Sequence, residues 1–125
     1  MPLVKIYSSN NRTAAELRAI GDGVHDALVA QANVPADDRF QILNRLDRDQ
    51  IVSHPSYGGV SRSEDVVIIE ITLNAGRTVD IKKNLYAEIA MRLEKAGVRP
   101  DDVLVSLVEV TKENWSFGGG RATYA

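Results

Sequence analysis

The sequence predicts an α+β fold of two layers: duplicated β-α-β units forming one four-stranded sheet, with two helices on one face of it. Three observations carry this expectation. Alternating apolar residues give way to helical spacing twice along the chain. Val34-Pro35-Ala36-Asp37-Asp38 matches Val98-Arg99-Pro100-Asp101-Asp102 without a gap, with Asn33 falling on Gly97. Arg12-Thr13 falls on Arg77-Thr78 with a shift of one residue. The 125 residues therefore read as a single domain of two pseudo-repeats, about 1–60 and 61–125.

The first strand is Leu3 to Ser8, where Val4 and Ile6 alternate with Lys5 and Tyr7. Asn10-Asn11-Arg12 is turn chemistry, and Thr13 with Glu16 three residues on forms a capping box that opens a helix. Leu17, Ile20, Val24 and Leu28 line its apolar face. Asn33 suits the left-handed position that closes a helix, and Pro35 prevents continuation. A second strand follows, roughly Arg39 to Leu46. The charged stretch from Arg45 to Ser63, with His54-Pro55-Ser56-Tyr57-Gly58-Gly59, connects the halves. Val66 to Leu73 is a near-continuous apolar run, the pattern of a central strand. Asn74-Ala75-Gly76 turns the chain, Thr78 caps a second helix, and Ile81, Leu85, Ile89 and Leu93 form its buried face. Gly97 ends that helix, and Val103 to Val110 is the fourth strand. Each unit should pair its strands in parallel through a right-handed crossover. The sheet face without helices is rather apolar, so other subunits should bury it, most simply in a homotrimer.

Composition narrows the function. A hydrophobic share of 44% and a charged share of 26% are those of an ordinary globular protein, and a net charge of −2 gives no footprint for nucleic acid or an anionic membrane. The absence of cysteine excludes disulfides, thiolate metal sites and a cysteine nucleophile. No leader-like segment and no membrane-spanning run is evident, so a cytoplasmic location is expected. His25 and His54 are isolated and lack ligand spacing, so no metal site is expected. The Gly118-Gly119-Gly120 run lacks the strand and helix that a dinucleotide site requires.

The start of the chain, Met1-Pro2-Leu3-Val4, is the candidate for chemistry. Removal of Met1, usual before a residue as small as proline, leaves Pro2 as a secondary amine at the end of a sheet. Apolar walls lower the pKa of such an amine and carboxylates raise it, so Pro2 is suited to act as base or as acid; it is equally a tolerated residue at a strand start. Parallel pairing puts the start of the second strand, and with it Asp38, on the same edge. If the halves pack antiparallel, the ends of strands three and four bring Asn74 to Arg77 and Lys112 to Phe117 there too. A structural reading stands beside each candidate: Asp38 has the repeat-mate Asp102, Arg77 has Arg12, and Trp115 and Phe117 are ordinary packing residues.

Met1-Pro2-Leu3-Val4, the doubled unit, Val34-Pro35-Ala36-Asp37-Asp38-Arg39-Phe40-Gln41 and Asn114-Trp115-Ser116-Phe117-Gly118 together resemble the tautomerase superfamily, and within it the malonate semialdehyde decarboxylase branch. The resemblance covers nearly the whole chain. It implies a trimer that uses an amino-terminal proline on a small oxo-acid substrate, without cofactor. Pro2 would be the catalytic amine, Asp38 the carboxylate beside it and Arg77 the grip on the substrate carboxylate, with Asn74, Phe40, Trp115 and Phe117 lining the substrate site. The chain departs from the branch where an Arg-Pro-Arg motif would end the third strand: Asn74-Ala75-Gly76-Arg77 leaves one arginine, and Asn74 or Arg62 is the candidate replacement. Phe40 stands in place of a tyrosine. The expected function is a decarboxylase-like enzyme; the alternatives are a keto-enol tautomerase of 2-oxo acids of the phenylpyruvate type, or a silent trimeric binding protein.

Overall fold

The computed structural model describes residues 1–124. Its main elements follow in the order β1 (Pro2–Ser9), α1 (Ala14–Gln31), β2 (Phe40–Leu46), β3 (Val67–Asn74), α2 (Val79–Lys95) and β4 (Val103–Val110). The sheet order is β2-β1-β3-β4. β1 is parallel to β2, β3 is parallel to β4, and the two units meet antiparallel through β1 and β3. The duplicated architecture expected from the sequence is present. β1 begins one residue earlier than its alternation suggests, because Pro2 already pairs with Leu73. β2 begins one residue later, at Phe40 opposite Leu3.

Both helices start as their capping residues dictate. In α1 the Glu16 N–H donates to Thr13 Oγ1 at 3.1 Å and the Thr13 N–H donates to Glu16 Oε1 at 3.0 Å, so two otherwise unpaired groups satisfy each other. In α2 the Ile81 N–H donates to Thr78 Oγ1 at 3.2 Å. Asn33 takes φ 56° and Gly97 φ 91° after the respective helices, the matching left-handed positions of the two repeats. Gly21 departs from good helix propensity for a packing reason: a Cβ there would lie 2.7 Å from Gln41 Oε1, whose amide Nε2 donates to Gly21 O at 2.8 Å.

The core lies between the helices and one sheet face. Val4 and Ile6 of β1 and Ile69, Ile71 and Leu73 of β3 are buried against Leu17, Ile20, Val24, Leu85, Ile89 and Leu93. The opposite face carries Leu3, Lys5 and Tyr7, and its flanking strands leave Phe40 50%, Ile42 48% and Val108 41% exposed. This is the uncovered apolar face that the strand patterns anticipate.

The connection between the units is irregular but pinned. His54 Nδ1 accepts from the N–H groups of Ser56 and Tyr57, and Arg62 Nη1 donates to His54 O and Tyr57 O. Asp102, buried at the start of β4, accepts from the Ser63 N–H at 2.7 Å and Ser63 Oγ at 2.6 Å. A concavity of about 500 Å³ lies on this connection, lined by Arg48, Val52, Pro55 and Arg62 among others, and includes none of the residues at the Pro2 edge.

Candidate active site

Strand register assembles the edge at which Pro2 sits. Pro2, buried, pairs with Leu73, so β3 delivers Asn74 directly beside the start of β1. Asn74 pairs with Val110, and the Ala75 N–H donates to Val110 O at 2.8 Å, which brings the exit of β4 to the same edge. Because Leu3 pairs with Phe40, the turn before β2 places Asp38 there as well. The amino nitrogen of Met1 stands 3.3 Å from Asp38 Oδ2. An amine and a carboxylate thus already meet at this edge, one residue short of Pro2.

Asp38 and its repeat-mate share a turn and differ in partners. The Asp38 N–H donates to Pro35 O at 3.0 Å, as the Asp102 N–H does to Arg99 O at 2.9 Å. The Asp102 carboxylate is spent on Ser63 within the fold, with Arg99 Nη1 at 3.5 Å, whereas the Asp38 carboxylate faces the chain's amino group.

Arg77 is placed by the main chain. Its Nε and Nη2 donate to Ala32 O at 3.0 and 2.8 Å, and its Nη1 donates to Asn74 O at 3.0 Å. Ala32 is the C-cap of α1, so the guanidinium sits at the negative end of that helix. A guanidinium has five N–H groups; these three bonds occupy one each on Nε, Nη1 and Nη2, leaving one on Nη1 and one on Nη2. Nearby, Glu109 is held below the usual carboxylate range, chiefly by the hydrogen bond from Lys82 Nζ at 2.6 Å and further by the Gly76 N–H and the charge of Arg77.

Trp115 donates its indole N–H to Asn74 Oδ1 at 2.7 Å. Its ring stacks on Phe117 with centroids 6.1 Å apart, and Phe117 takes the edge of Tyr124 at 5.2 Å. The structure therefore brings Pro2, Asp38, Asn74, Arg77, Trp115 and Phe117 to one end of the sheet. Phe40 lies on the uncovered sheet face beside Leu3 and forms no aromatic pair with that cluster among the described residues. Arg62, the other candidate replacement for an arginine, is committed to His54 O and Tyr57 O on the connection. Tyr124 was not anticipated: it follows the glycine run and belongs to no periodic pattern.

Among the described residues no group of three or more His, Asp or Glu side chains is arranged to hold a metal ion. His25 is instead a packed residue whose Nε2 lies 2.9 Å from Ala36 O. Among the described residues no helix is long and apolar enough to cross a membrane.

Residues 38–118 match a family described as tautomerase enzyme, and residues 2–59 match a second family of the same description. The probable tautomerase YusQ of Bacillus subtilis (strain 168) is 36% identical, covering 98% of this chain and 97% of that protein. A malonate semialdehyde decarboxylase solved with the inhibitor 3-bromopropiolate superposes with a TM-score of 0.93 at 41% identity, covering 98% of this chain and 93% of that one. A wild-type fused 4-OT, described as a symmetric trimer, shares the fold at a TM-score of 0.80 and 22% identity, covering 98% and 97% of the two chains. With family matches that together run from Pro2 to Gly118, and a relative that is similar along nearly its whole length, this chain belongs to the tautomerase family.

Proposed function

We propose that this chain is a cofactor-independent enzyme in which Pro2, exposed by removal of Met1, acts on a small oxo acid in the manner of a malonate semialdehyde decarboxylase. The observation that carries the reading is that Asp38 stands at the edge where Pro2 begins β1, its carboxylate 3.3 Å from the amino nitrogen of Met1, the residue just before Pro2, and that Arg77 and Asn74 share this edge. A carboxylate beside an amine favours its protonated form. The prolyl ammonium then donates a hydrogen bond to the 3-oxo group, while the two N–H groups left on Arg77 orient the substrate carboxylate. The bond from the carboxylate carbon to the adjacent methylene breaks, carbon dioxide leaves, and its electron pair passes into an enolate that takes up one proton to become acetaldehyde. The similarity to the decarboxylase at 41% identity supports this choice of substrate class.

A second reading rests on Arg77. Three of its N–H groups are held by main-chain carbonyls and the other end of the site offers the neutral Asn74, a modest grip for a carboxylate. That suits a keto-enol tautomerase, in which neutral Pro2 moves a proton of a 2-oxo acid. The uncovered sheet face carrying Phe40, Ile42 and Val108 supports assembly as a homotrimer, as in the fused 4-OT, and the absence of a membrane-crossing helix accords with a cytoplasmic enzyme.

The deciding experiment is a paired assay of Met1-free protein, verified by intact mass, on malonate semialdehyde and on phenylpyruvate across pH. Release of carbon dioxide with a rate that falls as Pro2 loses its proton is the expected result. Ketonisation alone, with the opposite limb, selects the tautomerase. Absence of both activities in trimeric protein leaves a binding role.

A further inference from the structure

Asn74 closes β3 with a primary amide whose two ends are chemically opposite. The Trp115 indole nitrogen lies 2.7 Å from one of them. An indole N–H only donates, so the atom facing it must be the amide oxygen; the flipped amide would set donor against donor. This settles the direction of the remaining end. The Nδ2 group, with two N–H donors, turns away from the indole and donates no hydrogen bond among the described residues; since no buried side-chain polar atom among them lacks a partner, Nδ2 is open to the surroundings of the site. Asn74 follows Leu73, the partner of Pro2, and its carbonyl oxygen accepts from Arg77 Nη1, so these donors stand at the same edge as the amine and the guanidinium. The indole is itself held in place by its stack on Phe117, which Tyr124 backs edge-on.

Building on the proposed function, we infer that Trp115 is a positioning residue: its indole N–H locks the Asn74 amide so that Nδ2 donates to the oxo oxygen of the substrate, and the site selects an oxo acid bearing one carboxylate. Arg77 supplies the only full positive charge of the pair. Asn74 adds a neutral donor, which matches a carbonyl and leaves a second carboxylate without a counter-charge. A freely rotating amide would present oxygen or nitrogen to the substrate alike; the indole removes that ambiguity before substrate arrives.

Two measurements test this. In kinetics, Trp115→Phe keeps an aromatic ring for Phe117 and deletes the donor. It should lower kcat/KM about tenfold, the equivalent of one hydrogen bond, and should add nothing further in an Asn74→Ala background. Losses that multiply across the two variants would mean that Trp115 acts independently of Asn74 and would overturn the inference. The second measurement needs no turnover. The chain has one tryptophan, so its indole N–H gives a single nitrogen-15 correlation peak. Pyruvate added to Met1-free protein should move that peak, propionate, which lacks the oxo group, should move it far less, and malonate, with a second carboxylate, should bind at least tenfold more weakly than pyruvate. In Asn74→Ala the difference between pyruvate and propionate should vanish. Protein that turns over no oxo acid yet shows this pattern retains the inference and loses the proposed reaction. An active protein in which pyruvate and propionate move the peak equally retains the reaction and loses the inference.

Discussion

The amino nitrogen of Met1 lies 3.3 Å from Asp38 Oδ2, with the two side chains only 6% and 18% exposed. Asp38 stands in the same kind of turn as its repeat-mate Asp102, yet the two carboxylates have different partners. Asp102 closes the connection between the units through Ser63. Asp38 has its carboxylate free for whatever group heads the chain. One duplicated turn thus serves the architecture in one unit, and in the other it carries the carboxylate proposed above to act beside Pro2.

Asp38→Asn should reduce turnover on the order of a hundredfold or more, the usual scale for removing a group that governs a proton at the reacting centre. Its urea midpoint should stay close to that of the parent, because among the described residues no side chain hydrogen-bonds to the Asp38 carboxylate. Without the anion the prolyl ammonium loses its proton more easily, so the limb of the pH–rate profile that reports Pro2 should move to lower pH. An unshifted limb would separate Asp38 from Pro2.

Asp102→Ala should show the reverse pattern. It leaves the Ser63 N–H and hydroxyl, half-buried, without their acceptor, which costs about 1–3 kcal/mol. Asp102→Asn, which keeps an oxygen acceptor, should cost less. Both are read from urea unfolding, and their kcat should remain near the parent value at temperatures where the protein is folded.

Much of this was legible in the sequence, and the reasons are physical. Alternation, helical spacing and the capping threonines each report local energetics, so the elements and the parallel pairing within each unit followed from Val4, Ile6, Thr13, Ile69 and Thr78 together with the repeat; the strand order and the antiparallel meeting of β1 with β3, on which the shared edge depends, did not. The division of labour between Asp38 and Asp102 was not legible, because both stand in the same turn chemistry and differ only in partners far along the chain. The partners of Arg77 are carbonyl oxygens, which every residue has, so no side-chain pattern announces them. Asn74 and Trp115 are 41 residues apart and meet only because β4 runs parallel to β3 and returns the chain to Asn74.

Acid should weaken the fold through identifiable carboxylates. Glu88 is held below its ordinary range first by the Gln31 amide and then by Arg92, Asp22 first by Arg39, and Asp65 first by Arg48. A carboxylate with a lowered folded-state pKa adds stability that is present above its unfolded value, near pH 4, and is lost as pH falls through the lower folded value. Unfolding midpoints should thus be level near neutrality and decline below about pH 4. Arg39→Ala should be less stable than the parent at pH 7, by no more than about 1 kcal/mol for so exposed a pair, and equal to it at pH 2. A difference that persisted at pH 2 would mean that Arg39 acts through its hydrogen bond to Gln41 Oε1, or by packing, rather than through Asp22.

Arg77 has a structural duty and, as proposed, a binding one, and substitution can separate them. Its bonds to Ala32 O and Asn74 O join the end of α1 in the first unit to the end of β3 in the second. Arg77→Ala should therefore lower stability by about 1.5–3 kcal/mol, the scale for hydrogen bonds to a charged group, and raise KM more than it lowers kcat if its free N–H groups bind the carboxylate alike in ground and transition states. Arg77→Lys retains the charge but presents a point donor that cannot span both carbonyls. It should recover part of the KM, since attraction for the carboxylate survives, while the stability loss remains, since the fork geometry does not. Full recovery of both by lysine would show that charge alone is required at this position and that the carbonyl contacts contribute little.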